Sequence, residues 1–197
     1  MIKSIVFDFD GMVHIEEIPF SKWVSETYNL SKDALKEFFT KEFNLCKTGK
    51  LDIKEALGKY LPKCGWDKGA KKFLKLWANY GHTNRKLIEL IKKKKKKGTH
   101  CILCTNNEIY RMKHYIKNKK LDDIFDHILI SSEIGFLKPK KPMLKRILKV
   151  SEAKKNEILF CDNKTSFIKI AKKFGFKTYK YKTLHEFQSF LDSKKLI

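Results

Sequence analysis

The sequence predicts an α/β protein in which helices cover a parallel sheet and a small all-helical segment interrupts the chain after the first strand. Three observations support this fold class. A short apolar run at residues 5–7 indicates a buried strand, because strands of a parallel sheet are hydrophobic on both faces. Residues 18–80 carry apolar side chains at helical spacing and show no convincing strand. From residue 82 onward, helical and strand patterns alternate, which is typical of a parallel sheet with crossover helices.

The middle segment has the pattern of four or so short helices. Ser31 and Asp52 are candidate N-caps, because their side-chain oxygens can accept free backbone N–H groups of a first turn. Pro62 and Gly65 interrupt the pattern again. The apolar faces consist of Trp23, Val24 and Tyr28, then Leu35, Phe38, Phe39 and Phe43, then Ile53, Ala56, Leu57 and Tyr60, then Phe73, Leu74 and Trp77.

The remaining chain is predicted to contain four more strands and five helices. Thr83 is the expected N-cap of the first of these helices, and Gly98 and Gly175 are positioned to end two of them. The predicted strands are 100–104, 127–130, 158–161 and 177–181, and the predicted helices are 83–97, 108–118, 142–150, one ending at 174, and 184–191. Residues 131–139 are predicted to be a loop.

Composition limits the class of protein. The 197 residues, 42% of them hydrophobic, can bury the core of one domain with a smaller insert. No run of about 18 apolar residues could cross a membrane, and no signal peptide is expected before the first strand. We therefore expect a cytoplasmic protein without a membrane partner. The five cysteines do not suggest a disulfide framework. Cys101 and Cys104 lie three apart on one strand, so their side chains should face opposite ways and pack in the core.

The formal net charge of +22 suggests anionic partners. Only Arg85, Arg111 and Arg146 are arginines, however, and arginine supplies most bidentate readout of bases. Specific nucleic-acid binding is therefore not expected. The lysine run 92–97 closes a predicted helix before Gly98, where cations suit the negative end of the helix dipole. We expect the charge to attract small anionic substrates, phosphates included.

Two carboxylates follow the first strand. Asp8 and Asp10 are separated by one residue, and Gly11 then allows a sharp turn. Ligands of open α/β sheets bind at the carboxyl ends of the strands. Two acids so close repel each other, and a divalent cation with oxygen ligands would relieve this repulsion. A carboxylate at this position can also act as a nucleophile and form an aspartyl-phosphate.

Three later loops offer the other groups that phosphoryl transfer needs. Thr105 supplies a hydroxyl, with Asn106 and backbone amides beside it, for the phosphoryl oxygens. Lys138 supplies a fixed positive charge. Asp162 supplies a further carboxylate for a cation. Taken singly, each is equally compatible with an ordinary turn or helix cap.

In order along the chain, these segments resemble the four motifs of the haloacid dehalogenase (HAD) superfamily. The quoted segments are Asp8-Phe9-Asp10-Gly11, Leu103-Cys104-Thr105-Asn106, Ser132-Glu133-Ile134-Gly135 with Lys138-Pro139, and Ile158-Leu159-Phe160-Cys161-Asp162-Asn163. The resemblance implies a Rossmann-like three-layer core, residues 1–13 and 83–197, and an all-helical C1-type cap, residues 14–82. It also implies an enzyme, a phosphoric monoester hydrolase.

The resemblance also implies a role for each motif residue. Asp8 would be the nucleophile, and Asp10 would protonate the leaving oxygen and then activate water. The residues implied to hold Mg²⁺ are Asp8, Asp10, Asp162 and Asn163. Those implied to hold the phosphoryl group are Thr105 and Lys138, with amides of Asp10, Gly11 and Asn106. Dehalogenases of this superfamily lack the second acid, so Asp10 favours phosphoryl transfer over carbon–halogen cleavage.

Two departures from the family pattern qualify these assignments. Asn163 replaces a second acid, which would lower the charge available to a cation. Lys140 and Lys141 follow Lys138-Pro139 where an acid is usual, so either could substitute for Lys138. His14 could touch the substrate, but a role as a hinge or a place on the surface is favoured.

The expected function is a Mg²⁺-dependent phosphatase acting on a sugar phosphate or nucleoside monophosphate. A phosphomutase of the same family is an alternative, and so is a basic protein that binds anions or nucleic acid with little catalysis. The protein would be a monomer or homodimer. Lys22, Trp23 and Lys47 are candidate specificity residues of the cap.

Overall fold

The computed structural model describes residues 1–193 and contains a five-stranded parallel sheet with the first strand at its centre. The strand order is β5-β4-β1-β6-β7. The strands are β1 (Ser4–Phe7), β4 (His100–Thr105), β5 (His127–Ile130), β6 (Ile158–Asp162) and β7 (Lys177–Lys180). All neighbouring pairs run parallel, with Phe7 beside Leu103 on one side and Cys161 on the other. The predicted α/β class is therefore confirmed.

Helices cover both faces of the sheet, which makes three layers. On one face pack α6 (Arg85–Lys96), α7 (Ile109–Lys119), α8 (Leu121–Ile124) and α12 (Leu184–Ser193). On the other pack α10 (Lys141–Ser151) and α11 (Thr165–Phe174). Buried Cys101 belongs to the first of these clusters and buried Cys104 to the second, so the two thiols face opposite sides of the sheet, as predicted.

A helical insert, here defined as residues 20–79, has its own apolar centre. Five helices form it where about four were predicted: α1 (Phe20–Tyr28), α2 (Lys32–Thr40), α3 (Glu42–Cys46), α4 (Ile53–Cys64) and α5 (Gly69–Asn79). Aromatic rings dominate the centre, where Phe20 stacks on Trp77 with ring centroids 5.2 Å apart. The predicted N-caps are confirmed, because Ser31 accepts the N–H of Ala34 and Asp52 accepts that of Lys54.

A two-stranded antiparallel ribbon joins the insert to the core. It pairs β2 (His14–Ile15) with β3 (His82–Thr83), and the sequence analysis missed both strands. The prediction that Thr83 caps α6 is wrong, because Thr83 belongs to the ribbon and Asn84 accepts the N–H of Leu87 instead.

The predicted loop 131–139 also contains a short helix, α9 (Ser131–Ile134). Gly135, with φ +83°, ends it. Within residues 1–193, no helix is long and apolar enough to span a membrane. The cytoplasmic location stays a prediction.

The close packing of the ribbon can be tested at Gly81. Its φ is +78°, and a Cβ there would lie 2.6 Å from the Ile15 carbonyl oxygen and 2.8 Å from the His14 ring. Gly98 has a similar φ of +87° but open space around it, so it is a matched control. Both Gly→Ala changes incur the left-handed backbone cost of about 1 kcal/mol. We expect Gly81→Ala to lower the free energy of unfolding in urea by at least about 1 kcal/mol more than Gly98→Ala. Equal losses would contradict the tight packing of the ribbon.

Candidate active site

The candidate active site lies where β1, β4 and β6 end. Asp8 follows β1 directly, is almost fully buried, and its carboxylate contacts the Lys138 ammonium group. The N–H of Phe9 donates to the same carboxylate oxygen at 2.6 Å, and the N–H of Asp8 donates to the Cys161 carbonyl at 3.2 Å. The last residues of β1 thus hold this carboxylate at the edge of the sheet.

Lys138 lies between two carboxylates. Its Nζ is 2.8 Å from Asp162 Oδ2 and donates to the Cys104 carbonyl at 3.1 Å. The Asn106 side chain fixes the backbone of Lys138 from both sides: it donates to the Lys138 carbonyl at 2.9 Å and accepts the Lys138 N–H at 2.7 Å. Lys140 and Lys141 are exposed at the start of α10. Lys138 itself therefore provides the positive charge, and neither neighbour substitutes for it here.

Burial dominates the electrostatics of this group. Burial raises the pKa of Asp8 to about 7, with Asp162 adding to the rise and Lys138 opposing it. Burial by itself would lower the pKa of Lys138, but the Asp8 and Asp162 carboxylates outweigh it and hold that pKa above its ordinary range. Lys138 is therefore the charged partner on which the buried carboxylates depend.

Asp10 is more accessible, with a side chain 48% exposed. The amide of Asn107 donates to its Oδ2 at 3.2 Å, and the guanidinium of Arg111 lies 3.8 Å from its Oδ1. Neither Asn107 nor Arg111 was predicted as a site residue. The available signal was that Asn107 directly follows Thr105-Asn106 and that Arg111 comes four residues later, in the first turn of the next helix.

Thr105 and Asn163 carry buried oxygens that have no hydrogen-bond partner within residues 1–193. These are Thr105 Oγ1 and Asn163 Oδ1, while the other end of the Asn163 amide donates to the Asp10 carbonyl at 3.3 Å. A Cβ on Gly11, whose φ is +83°, would overlap the Asn163 amide. The N–H of Gly11 donates to the His14 carbonyl at 2.8 Å. This amide is therefore engaged within the turn, and the absence of a side chain at Gly11 leaves room for the Asn163 amide. The role of Gly11 in phosphate binding stays a prediction.

The oxygen ligands for a cation are few but suited to a hard metal ion. Among the described residues, no group of three or more His, Cys, Asp or Glu side chains could hold a metal ion. Two buried carboxylates, Asp8 and Asp162, lie on either side of Lys138. The Asp10 carbonyl oxygen and Asn163 Oδ1, which has no hydrogen-bond partner among residues 1–193, are further possible metal ligands. These four oxygen-bearing groups fit a hard divalent ion that also retains water ligands.

The helical insert contacts the core beside these residues. Ser131 donates to the Lys47 carbonyl at 2.6 Å, and Tyr110 donates to Asp52 at 2.8 Å. The Arg111 guanidinium lies 3.9 Å from the centre of the Trp77 ring, a contact worth about 2 kcal/mol when desolvated. The insert is therefore tied to the core at several points around the site.

His14 and Trp23 lie in packed environments. His14 stacks on Phe9, with ring centroids 5.4 Å apart, and its Nε2 is 3.4 Å from the Tyr115 hydroxyl. Burial lowers the pKa of His14 to about 4, with Asp10 opposing the shift. Because the His14 ring is buried, the prediction of a surface position is wrong, and the hinge role stays a prediction. Trp23 stacks on Tyr80, the residue that follows the insert, with 4.6 Å between the ring centroids.

The family model of haloacid dehalogenase-like hydrolases matches residues 5–180. The protein belongs to this family, as the motif resemblance predicted, and is an enzyme of the hydrolase class.

Individual relatives agree with this assignment. The chain is similar to a D-ribitol-5-phosphate phosphatase of Bacteroides thetaiotaomicron, with 29% identity over 192 residues and 91% of each chain covered. Its fold resembles that of a HAD family enzyme from the same organism, with a TM-score of 0.81, 18% identity, and 94% and 98% of the two chains covered. It also resembles L-2-haloacid dehalogenase from Xanthobacter autotrophicus, with a TM-score of 0.67, 16% identity, and 100% and 85% covered.

Replacing Lys138 is expected to lower the stability of the fold strongly. In metal-free buffer, Lys138→Met should lower the free energy of unfolding by roughly 3–5 kcal/mol, because it leaves two buried carboxylates without their partner. Lys140→Met removes an equal charge from an exposed neighbour and should change it by less than about 0.5 kcal/mol. Urea unfolding measures both. Similar midpoints and slopes for the two variants would contradict the structural role of the buried ammonium group.

Proposed function

We propose that this protein is a Mg²⁺-dependent phosphatase of small phosphorylated metabolites that works through an aspartyl-phosphate on Asp8. One observation carries the proposal. The carboxylates of Asp8 and Asp162 and the ammonium group of Lys138 meet at the carboxyl edge of the sheet, with the accessible Asp10 carboxylate two residues from Asp8. Together these side chains would supply a nucleophile, a positive charge that binds the phosphoryl group, and an acid–base group at one edge of the sheet.

The proposed reaction has two steps. A carboxylate oxygen of Asp8 attacks phosphorus, and the bond to the ester oxygen breaks as Asp10 protonates that oxygen. In the second step a water molecule gives a proton to Asp10, and the oxygen of that water attacks the phosphorus of the aspartyl-phosphate. The bond to Asp8 breaks, and inorganic phosphate leaves. Asp10 is suited to both proton transfers because its carboxyl group is half-exposed beside the buried nucleophile.

The phosphoryl oxygens would be bound by groups that the fold has already placed. The Thr105 hydroxyl is buried at the end of β4 and has no hydrogen-bond partner among the described residues, so it can donate to a phosphoryl oxygen without breaking a bond seen there. The Lys138 ammonium group adds a fixed positive charge beside the nucleophile.

Asp8, the Asp10 carbonyl, Asp162 and Asn163 would hold Mg²⁺. A bound Mg²⁺ would neutralise charge on the phosphoryl oxygens. A HAD family enzyme of B. thetaiotaomicron, 18% identical with a TM-score of 0.79 and 92% and 95% of the chains covered, was crystallised with magnesium and inorganic phosphate, which supports this choice of ion.

The substrate is proposed to be the phosphate ester of a small polyol or sugar. The relative named D-ribitol-5-phosphate phosphatase supports this class. We further propose that residues 14–82 form a cap over the core of residues 1–13 and 83–197, although the last four positions lie outside the described residues. Lys47 on the insert is a candidate for substrate contact, because its charge interacts with those of Lys164 and Asp10 while burial lowers its pKa.

A panel of phosphate esters tests the function. With Mg²⁺ present, wild-type protein should release phosphate from alditol or sugar phosphates, D-ribitol 5-phosphate included, faster than from nucleoside monophosphates. Asp8→Asn should lower kcat at least about a thousandfold, because the nucleophile is lost. Asp123→Asn, an equal charge change at an exposed residue, should retain activity. Absence of turnover with every ester, or full turnover by Asp8→Asn, would reject the proposal.

The affinity for Mg²⁺ is expected to depend on the charge of residue 163. Asn163→Asp should tighten Mg²⁺ binding by about tenfold in calorimetric titration, because a charged oxygen replaces a neutral amide oxygen beside the Asp10 carbonyl. Asn156→Asp changes the net charge equally at an exposed position and should leave the affinity unchanged. Unchanged affinity in Asn163→Asp would place the ion away from this residue.

A further inference from the structure

We propose that Arg111, acting together with Asn107, is a positioning residue that holds Asp10 in its working orientation and makes that orientation depend on the helical insert. The inference rests on the proposed function, since it concerns the acid–base step of the same reaction. Arg111 lies in the first turn of α7, is 3% exposed, and belongs to none of the motif segments.

The side chains of Arg111 and Asn107 hold both oxygens of the Asp10 carboxylate. Asn107 donates to Asp10 Oδ2 at 3.2 Å, and a terminal nitrogen of Arg111 lies 3.8 Å from Oδ1. The other terminal nitrogen of Arg111 donates to Asn107 Oδ1 at 3.2 Å. The Asn107 oxygen accepts from Arg111 and from the backbone N–H of Glu108, also at 3.2 Å, so the amide nitrogen faces Asp10. The three side chains form a triangle in which two sides are hydrogen bonds and the third is the Arg111–Asp10 ion pair.

The charge of Arg111 is directed at Asp10 rather than at the nearer acid in sequence. Glu108 uses its carboxylate as the N-cap of α7, accepting the backbone N–H groups of Tyr110 at 2.6 Å and Arg111 at 2.8 Å. Within residues 1–193, Asp10 is the only carboxylate within 4 Å of the guanidinium nitrogens. A buried guanidinium requires a partner, and here that partner is the proposed acid–base group.

The opposite face of the guanidinium is covered by the insert. Trp77 of α5 lies over it, 3.9 Å from ring centre to guanidinium carbon. Trp77 is in turn fixed by Phe20, Phe39 and Phe43, with ring centroids 5.1–5.2 Å away. A shift of α5 relative to α7 would therefore move or uncover the guanidinium, and the triangle would loosen. The arrangement links proton transfer at Asp10 to the placement of the insert.

The rates of Arg111 variants with good and poor leaving groups distinguish a role in positioning Asp10 from a general loss of structure. Arg111→Met should lower kcat for an alkyl phosphate about 10- to 100-fold with KM changed less than about threefold, because alignment of the acid is lost and phosphate binding is not. Arg111→Lys keeps the charge but not the fork and should fall in between. Arg146→Met, at an exposed arginine, is the control and should match wild type.

Dinitrophenyl phosphate isolates the first step, since its leaving group needs no proton. In Arg111→Met the first turnover should release dinitrophenolate within about threefold of the wild-type rate, followed by slow steady-state turnover because water activation still needs Asp10. Asn107→Ala leaves the stack on Trp77 intact and should reproduce this pattern. The double variant Arg111→Met/Asn107→Ala should be no slower than the worse single variant, because both remove one clamp.

The outcomes are distinct for the inference and for the proposed function. An unchanged kcat in both Arg111→Met and Asn107→Ala, or first-turnover and steady-state rates that fall together, would overturn the positioning role. If Arg111→Met does not fold, Asn107→Ala decides the question alone. If wild type turns over no phosphate ester, or Asp8→Asn remains active, the proposed function fails.

Discussion

The structure depends on one buried ion cluster, in which the Lys138 ammonium group neutralises the carboxylates of Asp8 and Asp162. Isolated carboxylates at these positions would be too costly to bury, and burial already raises the pKa of Asp8 to about 7. The cluster joins the ends of β1 and β6 to the loop after α9. Asn106 completes it by fixing the backbone of Lys138. The same charges that hold these segments together are those that the proposed phosphoryl transfer would use, so in that proposal the fold and the chemistry share one set of contacts.

Around this cluster, the site divides into a rigid part and a part exposed to the insert. Asp8 is almost fully buried and directly follows strand β1, whereas the Asp10 carboxylate is half-exposed and, among residues 1–193, is contacted by the side chains of Asn107 and Arg111. Asn107 lies just before α7 and Arg111 lies in it, and α7 also contacts α5 of the insert through the stack of Arg111 on Trp77. The proposed nucleophile thus belongs to the sheet, while the proposed acid–base group lies where sheet and insert meet. In the proposed mechanism, attack and proton transfer are supported by different parts of the protein.

Sequence reasoning succeeded where the pattern was long or chemically distinctive. The apolar strands β1, β4 and β6 and the acids at their ends were predicted because buried parallel strands are continuously apolar. The ribbon strands were missed because each has two residues, too few for any periodicity. Arg111 was not predicted because its contacts with Asp10, in the turn after β1, and with Trp77 of the insert arise from tertiary packing. The donation of the Gly11 amide to His14 was not predicted either, because it depends on a turn geometry that residue types do not specify.

The ribbon of β2 and β3 has a consequence for how the insert can vary in evolution. Ile15 pairs with His82, so the two crossings between core and insert run side by side. The chain therefore leaves the core and returns to it at one place, although the helices in between contact the core again through Trp77. Insertions or deletions within residues 16–81 could thus accumulate without altering the order of the five sheet strands, provided that the helix carrying Trp77 keeps its place.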